Sequence, residues 1–152
     1  MDHEAHSGWR ADDIASEIQG WAAAAAPDIV LLHLGTNDLC QGQTVESTIS
    51  DISGIIDRLR TVNPRIRILL AQIITCVWGC QIPTFNEQAA LLVAAKTTGD
   101  SPIVLVDQYT GFDPQTMTRD GQHPNAPGEM QMADRWFSKL IPVLDAFFMR
   151  ST

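Results

Sequence analysis

The feature that most constrains this chain is the segment of residues 27–38, which reads Pro-Asp-Ile-Val-Leu-Leu-His-Leu-Gly-Thr-Asn-Asp. Its nearly unbroken apolar run predicts a strand that is buried on both faces of a parallel sheet. Ligands of open α/β sheets bind beyond the carboxyl ends of the strands. We therefore expect the edge of a functional site at the residues that end the run, Gly35, Thr36, Asn37 and Asp38.

The remaining chain alternates between helical and strand patterns. Apolar spacing predicts helices over residues 12–26, 44–63, 87–99 and 128–148, and further buried strands over 65–74 and 103–107. Pro142 should kink the last helix. This order specifies an α/β fold with a parallel sheet and right-handed crossovers. At 152 residues, the chain is expected to form one domain.

Composition limits the partners that the chain can have. Its net charge of −8 disfavours nucleic acid and anionic membranes, because both need a basic face on the protein. We see neither an apolar run long enough to span a bilayer nor a signal peptide at the start of the chain.

No strand leads into a glycine-rich phosphate loop, so we expect no nucleotide cofactor. His3, Glu4 and His6 fit a polar terminus better than a metal site.

The three cysteines, Cys40, Cys76 and Cys80, allow three different single disulfides, and all three could also be reduced. A disulfide among them would stiffen the loops around Trp78 and would indicate that the parent protein is extracellular.

A second polar motif, Asp120-Gly-Gln-His123, lies in a long loop before the last helix. An Asp three residues before a His can accept the imidazole Nδ1 proton, which leaves Nε2 to act as a general base. Loops of this length are uncommon unless they are functional. We therefore predict that Asp120 and His123 form the acid and base half of a hydrolytic site.

Two further residues have both a functional and a structural interpretation. The N–H of Gly8 could point at an oxyanion, or Gly8 could be a simple turn residue. The Asn37 amide could do the same, or it could cap the end of the strand.

Taken in this order, Gly8, Gly35-Thr36-Asn37-Asp38 and Asp120 to His123 resemble three sequence blocks of the SGNH or GDSL hydrolases. The segment His-Ser-Gly-Trp is most similar to carbohydrate esterase family three, which removes acetyl groups from xylan and related sugars. The resemblance implies a flavodoxin-like three-layer α/β/α fold. It also implies that Gly8 and Asn37 stabilise an oxyanion, with His123 as the base and Asp120 as its orienting partner.

The first block of that family, Gly-Asp-Ser, is missing from this chain. The resemblance therefore implies a single domain over residues 1–152 that lacks the first strand–helix–strand unit and the nucleophilic serine. Ser7 is the only serine beside a matched block, whereas Ser101 precedes a strand and lies at the wrong end of the sheet. Loss of the first strand would also leave residues 29–34 as an apolar sheet edge, so we expect a homodimer or larger assembly.

We therefore expect a serine esterase that acts on small acyl esters or acetylated carbohydrate. Trp9 and Trp78 would lie near the loop ends and could stack on a sugar, or they could be packing residues, and Thr36 and Asp38 would line the same site. The alternative is an impaired family member that binds carbohydrate or self-associates without catalysis.

Overall fold

The computed structural model describes residues 3–149. It contains a parallel sheet whose strands are β1 (Ile29–Leu32), β2 (Arg67–Gln72) and β3 (Ile103–Asp107). The helices are α1 (Ala11–Ala25), α2 (Thr36–Cys40), α3 (Val45–Val62), α4 (Ile82–Lys96) and α5 (Ala126–Phe148). The three predicted strands and four long helices are confirmed, although α4 begins five residues before the predicted start at residue 87. The short helix α2 was not predicted, and α5 continues through Pro142 to Phe148.

The sheet order is β1-β2-β3, and Leu31 of β1 is paired with Leu69 of β2. The central strand is the most deeply buried, since residues 68–71 are fully shielded from solvent. Each neighbouring strand contributes hydrogen bonds to β2 and a helix layer covers each of its faces. This explains why its sequence is apolar at consecutive positions rather than at alternating ones.

Helices cover both faces of the sheet, which gives the expected three-layer, flavodoxin-like α/β/α arrangement. One face and helices α1, α3 and α4 form the main hydrophobic core. On the opposite face, Val143 of α5 packs against Leu69 and Val106 in a smaller cluster. Because the strands are parallel, their carboxyl ends all lie at one edge, where the loops that follow them meet.

Among the described residues, β1 is hydrogen-bonded to β2 alone and is therefore an edge strand. The backbone carbonyl of Asp28 accepts a hydrogen bond from Arg67 N at 2.9 Å, so the alternate residues Ile29 and Leu31 direct their backbone groups away from β2. The Leu31 side chain is 42% exposed. Such an edge favours pairing with another chain, and self-association remains a prediction.

Candidate functional site

The residues after β1 turn sharply because of one glycine. Gly35 has φ +121°, and a Cβ at this position would lie 2.7 Å from the Phe85 ring. Only glycine combines that dihedral with so close an approach. The turn starts α2 at Thr36, which is half-buried, and the helix directs Asn37 and Asp38 to different partners.

Asn37 holds the loop that precedes α1. Its Nδ2 donates a hydrogen bond to the Trp9 carbonyl at 2.7 Å, and Gln41 Nε2 donates to the Gly8 carbonyl at 2.9 Å. Gly8 is exposed and has φ +80°. An amide nitrogen carries two hydrogens, so Asn37 retains a second donor. The structure therefore brings Asn37 into contact with the segment that contains Gly8.

Asp38 has a structural role that differs from the predicted contact with substrate. Its side chain is only 1% exposed. Both carboxylate oxygens accept a hydrogen bond from Ala11 N, at 2.9 and 3.2 Å, at the start of α1. Burial raises the pKa of Asp38, and the bond from Ala11 opposes that shift. We therefore reassign Asp38 to anchoring the first turn of α1, because its carboxylate is buried and both of its oxygens accept from Ala11 N.

Asp120 and His123 lie in direct contact. His123 Nδ1 is 2.8 Å from Asp120 Oδ2, while Asp120 Oδ1 accepts hydrogen bonds from the backbone N–H groups of His123 and Gln122. These bonds, led by the one from His123 N, lower the pKa of Asp120 to about 2. The carboxylate therefore stays charged at neutral pH and favours the tautomer with hydrogen on Nδ1. His123 Nε2 is then left to accept a proton from a group in solvent, to which 62% of the side chain is exposed.

A hairpin holds the Asp120–His123 pair. Arg119 N donates to the His123 carbonyl at 2.8 Å, and the Gly121 carbonyl accepts from Val77 N at 2.9 Å. Gly121 has φ +89°, and a Cβ there would overlap the Val77 side chain. The glycine therefore allows the hairpin to lie directly against the loop between β2 and α4.

A disulfide links that loop to α2. Cys40, the last residue of α2, is bonded to Cys80, and the Cys76 thiol remains free and buried. The structure thus selects one of the three pairings that the sequence left open. A continuous series of contacts now runs from Gly8 through α2 and the 73–81 loop to the His123 hairpin. All of these segments lie at the carboxyl ends of the strands.

The two tryptophans differ in their surroundings. Trp9 packs against the core and stacks on His6, with ring centroids 4.2 Å apart, and His6 also stacks on Trp21 at 5.0 Å. Trp78 is 58% exposed in the loop between β2 and α4. Of the two, Trp78 is therefore free to contact a ligand, whereas Trp9 is largely committed to packing.

Neither serine that the sequence raised is joined to His123. Ser7 is exposed in the turn before Gly8, and among residues 3–149 the His123 ring is hydrogen-bonded to Asp120 and not to Ser7. Ser101 is 2% exposed just before β3, where its hydroxyl donates to the Ile66 carbonyl at 2.6 Å and accepts from Arg60. Ser101 therefore lies at the amino end of the strand, as predicted, and has a structural role.

Sequence reasoning missed the roles of two polar residues near the carboxyl ends of β1 and β2. Asn86 of α4 is buried, and its amide bonds both to Ile73 N at 2.7 Å and to Ile73 O at 3.0 Å, which closes the end of β2. His33 is half-buried, and its Nε2 is shielded without a hydrogen-bond partner in the described part of the chain. The sequence analysis placed Asn86 just before the helix, where a single Asn carries no signal of this role, but a His within an apolar strand could have drawn attention.

Comparison with known sequences identifies relatives. Residues 1–130 match the model of the GDSL-like lipase/acylhydrolase family. A protein of Acetivibrio thermocellus, provisionally named endoglucanase X, is 29% identical over 135 residues, and the chain spans 58% of its length. A multidomain esterase of Ruminococcus flavefaciens is 26% identical over 129 residues, which cover 80% of this chain and 16% of that protein.

Three solved structures are also similar to this chain. A mutant acetyl esterase crystallised with acetate ion has a TM-score of 0.92 at 35% identity, over 96% of this chain and 73% of that one. A carbohydrate esterase family 3 protein from Talaromyces cellulolyticus has a TM-score of 0.91 at 35% identity, over 95% and 72% of the two chains. A family 3 carbohydrate esterase of Clostridium thermocellum has a TM-score of 0.84 at 30% identity, over 96% and 72%. The family match, the fold and the order of the polar motifs agree, and the chain belongs to the GDSL-like lipase/acylhydrolase family.

Proposed function

We propose that this chain provides the acid–base and oxyanion-binding groups of a serine esterase that acts on small acyl esters. The observation that carries the proposal is the Asp120–His123 pair, in which Nδ1 and the carboxylate are 2.8 Å apart and 62% of the His123 side chain is exposed to solvent. That arrangement suits a general base, since its partner carboxylate stays ionised and orients the ring.

In the proposed reaction, His123 Nε2 takes the proton of a serine hydroxyl while the serine Oγ bonds to the ester carbonyl carbon. The carbonyl π electrons move to its oxygen, where the Gly8 N–H and the second hydrogen of the Asn37 amide would stabilise the charge. Collapse of this intermediate breaks the bond to the alcohol, which leaves with the proton from His123. Water then attacks the acyl-enzyme by the same steps and releases the acid. Within this chain, Ser7 is the candidate for the nucleophile.

Acetylated carbohydrate is the substrate class that we favour. Support comes from the solved structures named above, of which one is an acetyl esterase mutant with acetate ion and two are family 3 carbohydrate esterases. The exposed Trp78 ring offers an apolar face on which a sugar could stack.

Hydrolysis of p-nitrophenyl acetate tests the proposal. We expect Asn37→Ala and His123→Ala each to lower kcat by about 10² or more, because each removes a group that acts on the transition state. The matched control is His3→Ala, which changes an exposed histidine outside the site and should leave the rate unaltered. Thermal unfolding of each variant would show whether the fold is retained. Equal rates for the wild type and Asn37→Ala would rule out the amide's role.

A non-catalytic carbohydrate-binding module is the second candidate, favoured by the lack of a hydrogen bond between Ser7 and His123 within residues 3–149. A serine-directed phosphonate separates the two functions. Covalent labelling that is lost in Ser7→Ala supports the enzyme with Ser7 as nucleophile. Absence of any labelling, together with no ester hydrolysis above that of His123→Ala, would refute catalysis by this chain.

A further inference from the structure

All three cysteines of the chain meet at one point. Their Sγ atoms lie within 4.8 Å of one another, although Cys40 is 36 positions from Cys76, the nearer of the other two in sequence. Cys40 ends α2, whereas Cys76 and Cys80 lie in the loop between β2 and α4. A single disulfide needs only two of these residues. Cys76, four residues before Cys80, packs in the main core beside the cross-link and is not part of it.

The free thiol lies directly beside the disulfide. Cys76 Sγ is 3.6 Å from Cys80 Sγ, and the Cys76 side chain is 7% exposed. Thiolates bind zinc at about 2.3 Å, so two sulfurs on one tetrahedral ion lie about 3.8 Å apart. The Cys76–Cys80 separation already matches that value. The Cα atoms of Cys40 and Cys80 are 5.7 Å apart, which brings both side chains within reach of a shared ion.

We propose that the reduced form of this cluster is a binding site for a soft divalent or monovalent metal ion of the zinc, cadmium or copper(I) class. Reduction by a dithiol adds two electrons and two protons to the Cys40–Cys80 bond and converts the dithiol into its own disulfide. The metal ion then displaces one proton from each of the three thiols and bonds to three thiolates. Soft thiolate ligands select ions of this class. Cys40 is exposed, so solvent can supply a fourth ligand.

The bound ion would connect the same two segments as the disulfide. In an oxidising compartment Cys40–Cys80 joins α2 to the 73–81 loop, and in a reducing one the ion would do so. This connection affects the candidate site because α2 carries Asn37, while the 73–81 loop carries Val77, which is hydrogen-bonded to the His123 hairpin. The inference does not depend on esterase activity, since it concerns only the thiols.

Cadmium titration of the full chain tests the site. The protein is first reduced with excess reductant, which is then removed in the absence of oxygen. We expect one equivalent of Cd²⁺ to bind with a thiolate-to-metal charge-transfer band, the release of protons and a higher unfolding temperature. Cys76→Ser should weaken binding by more than about tenfold, because it removes one of three ligands. That variant retains the Cys40–Cys80 disulfide, so its fold can be verified in the oxidised form.

The control is the oxidised wild type, in which Cys40 and Cys80 are disulfide-bonded and Cys76 is the one thiol left to bind metal. It should show no charge-transfer band. The proposal is overturned if the reduced wild type binds no cadmium while its circular dichroism shows that it is folded. It is also overturned if Cys76→Ser binds cadmium as tightly as the wild type, since the site would then need only two thiols.

Discussion

Protonation of His33 should weaken the fold in mildly acidic solution. The residue directly follows β1, and its Nε2 is shielded from solvent with no hydrogen-bond partner among residues 3–149. Burial lowers the pKa of His33 from its ordinary 6.5 to about 4, because a charged imidazole at this position would lose its hydration. The unfolded chain therefore takes up a proton at a higher pH than the folded chain does.

The sign and size of the effect follow from this difference. Stability is fully present above the unfolded pKa of 6.5 and is lost as the pH falls towards the folded value of about 4. Between pH 8 and pH 5, proton uptake by the unfolded state alone should lower the free energy of unfolding by about 2 kcal/mol. For a chain of this length, that loss corresponds to a fall in Tm of roughly 4–8 °C.

The assay is urea unfolding at several pH values from 8 to 5, with wild type, His33→Leu and His3→Gln compared. Burial also raises the pKa of Asp38, but this carboxyl is common to the three proteins, so its contribution cancels when they are compared. We expect His33→Leu to lose about 2 kcal/mol less than the wild type over this range. His3→Gln, which changes an exposed histidine, should follow the wild-type curve.

The reasoning would be refuted if wild type and His33→Leu lost the same free energy of unfolding between pH 8 and pH 5. A direct check is the pKa of His33 from NMR, which should lie well below that of an exposed histidine. A value near 6.5 would show that the imidazole is hydrated in the folded protein.

Two further predictions concern the hairpin and the sheet edge. In urea unfolding, Gly121→Ala should lower the free energy of unfolding by about 1–3 kcal/mol more than Gly79→Ala does. Both glycines have positive φ, but only at Gly121 would a Cβ overlap Val77, so an equal cost at the two sites would contradict a steric role. If the β1 edge pairs with a second copy, small-angle scattering should show a dimer for the wild type and a monomer for Leu31→Lys. A monodisperse wild-type monomer at moderate concentration would oppose this prediction.

Much of the fold was predictable because it depends on local patterns. Runs of apolar residues predicted β1, β2 and β3, and apolar residues at helical spacing predicted α1, α3, α4 and α5. The helix α2 escaped prediction because five residues are too few to show a period. The Asp120–His123 contact was also predictable, since a separation of three residues limits how far apart the two side chains can be.

Other properties depended on residues that are distant in sequence. Whether Asp38 would face a ligand or Ala11, which cysteines would pair, and whether Trp9 would pack or remain exposed are matters of long-range contact. The same is true of His33, whose surroundings determine its lowered pKa. By itself, the sequence determined the order of strands and helices and the types of reactive group available, because both are local properties of the chain. Only the tertiary structure decided which groups meet and which are buried, because hydrogen bonding, cross-linking and desolvation depend on neighbours that folding supplies.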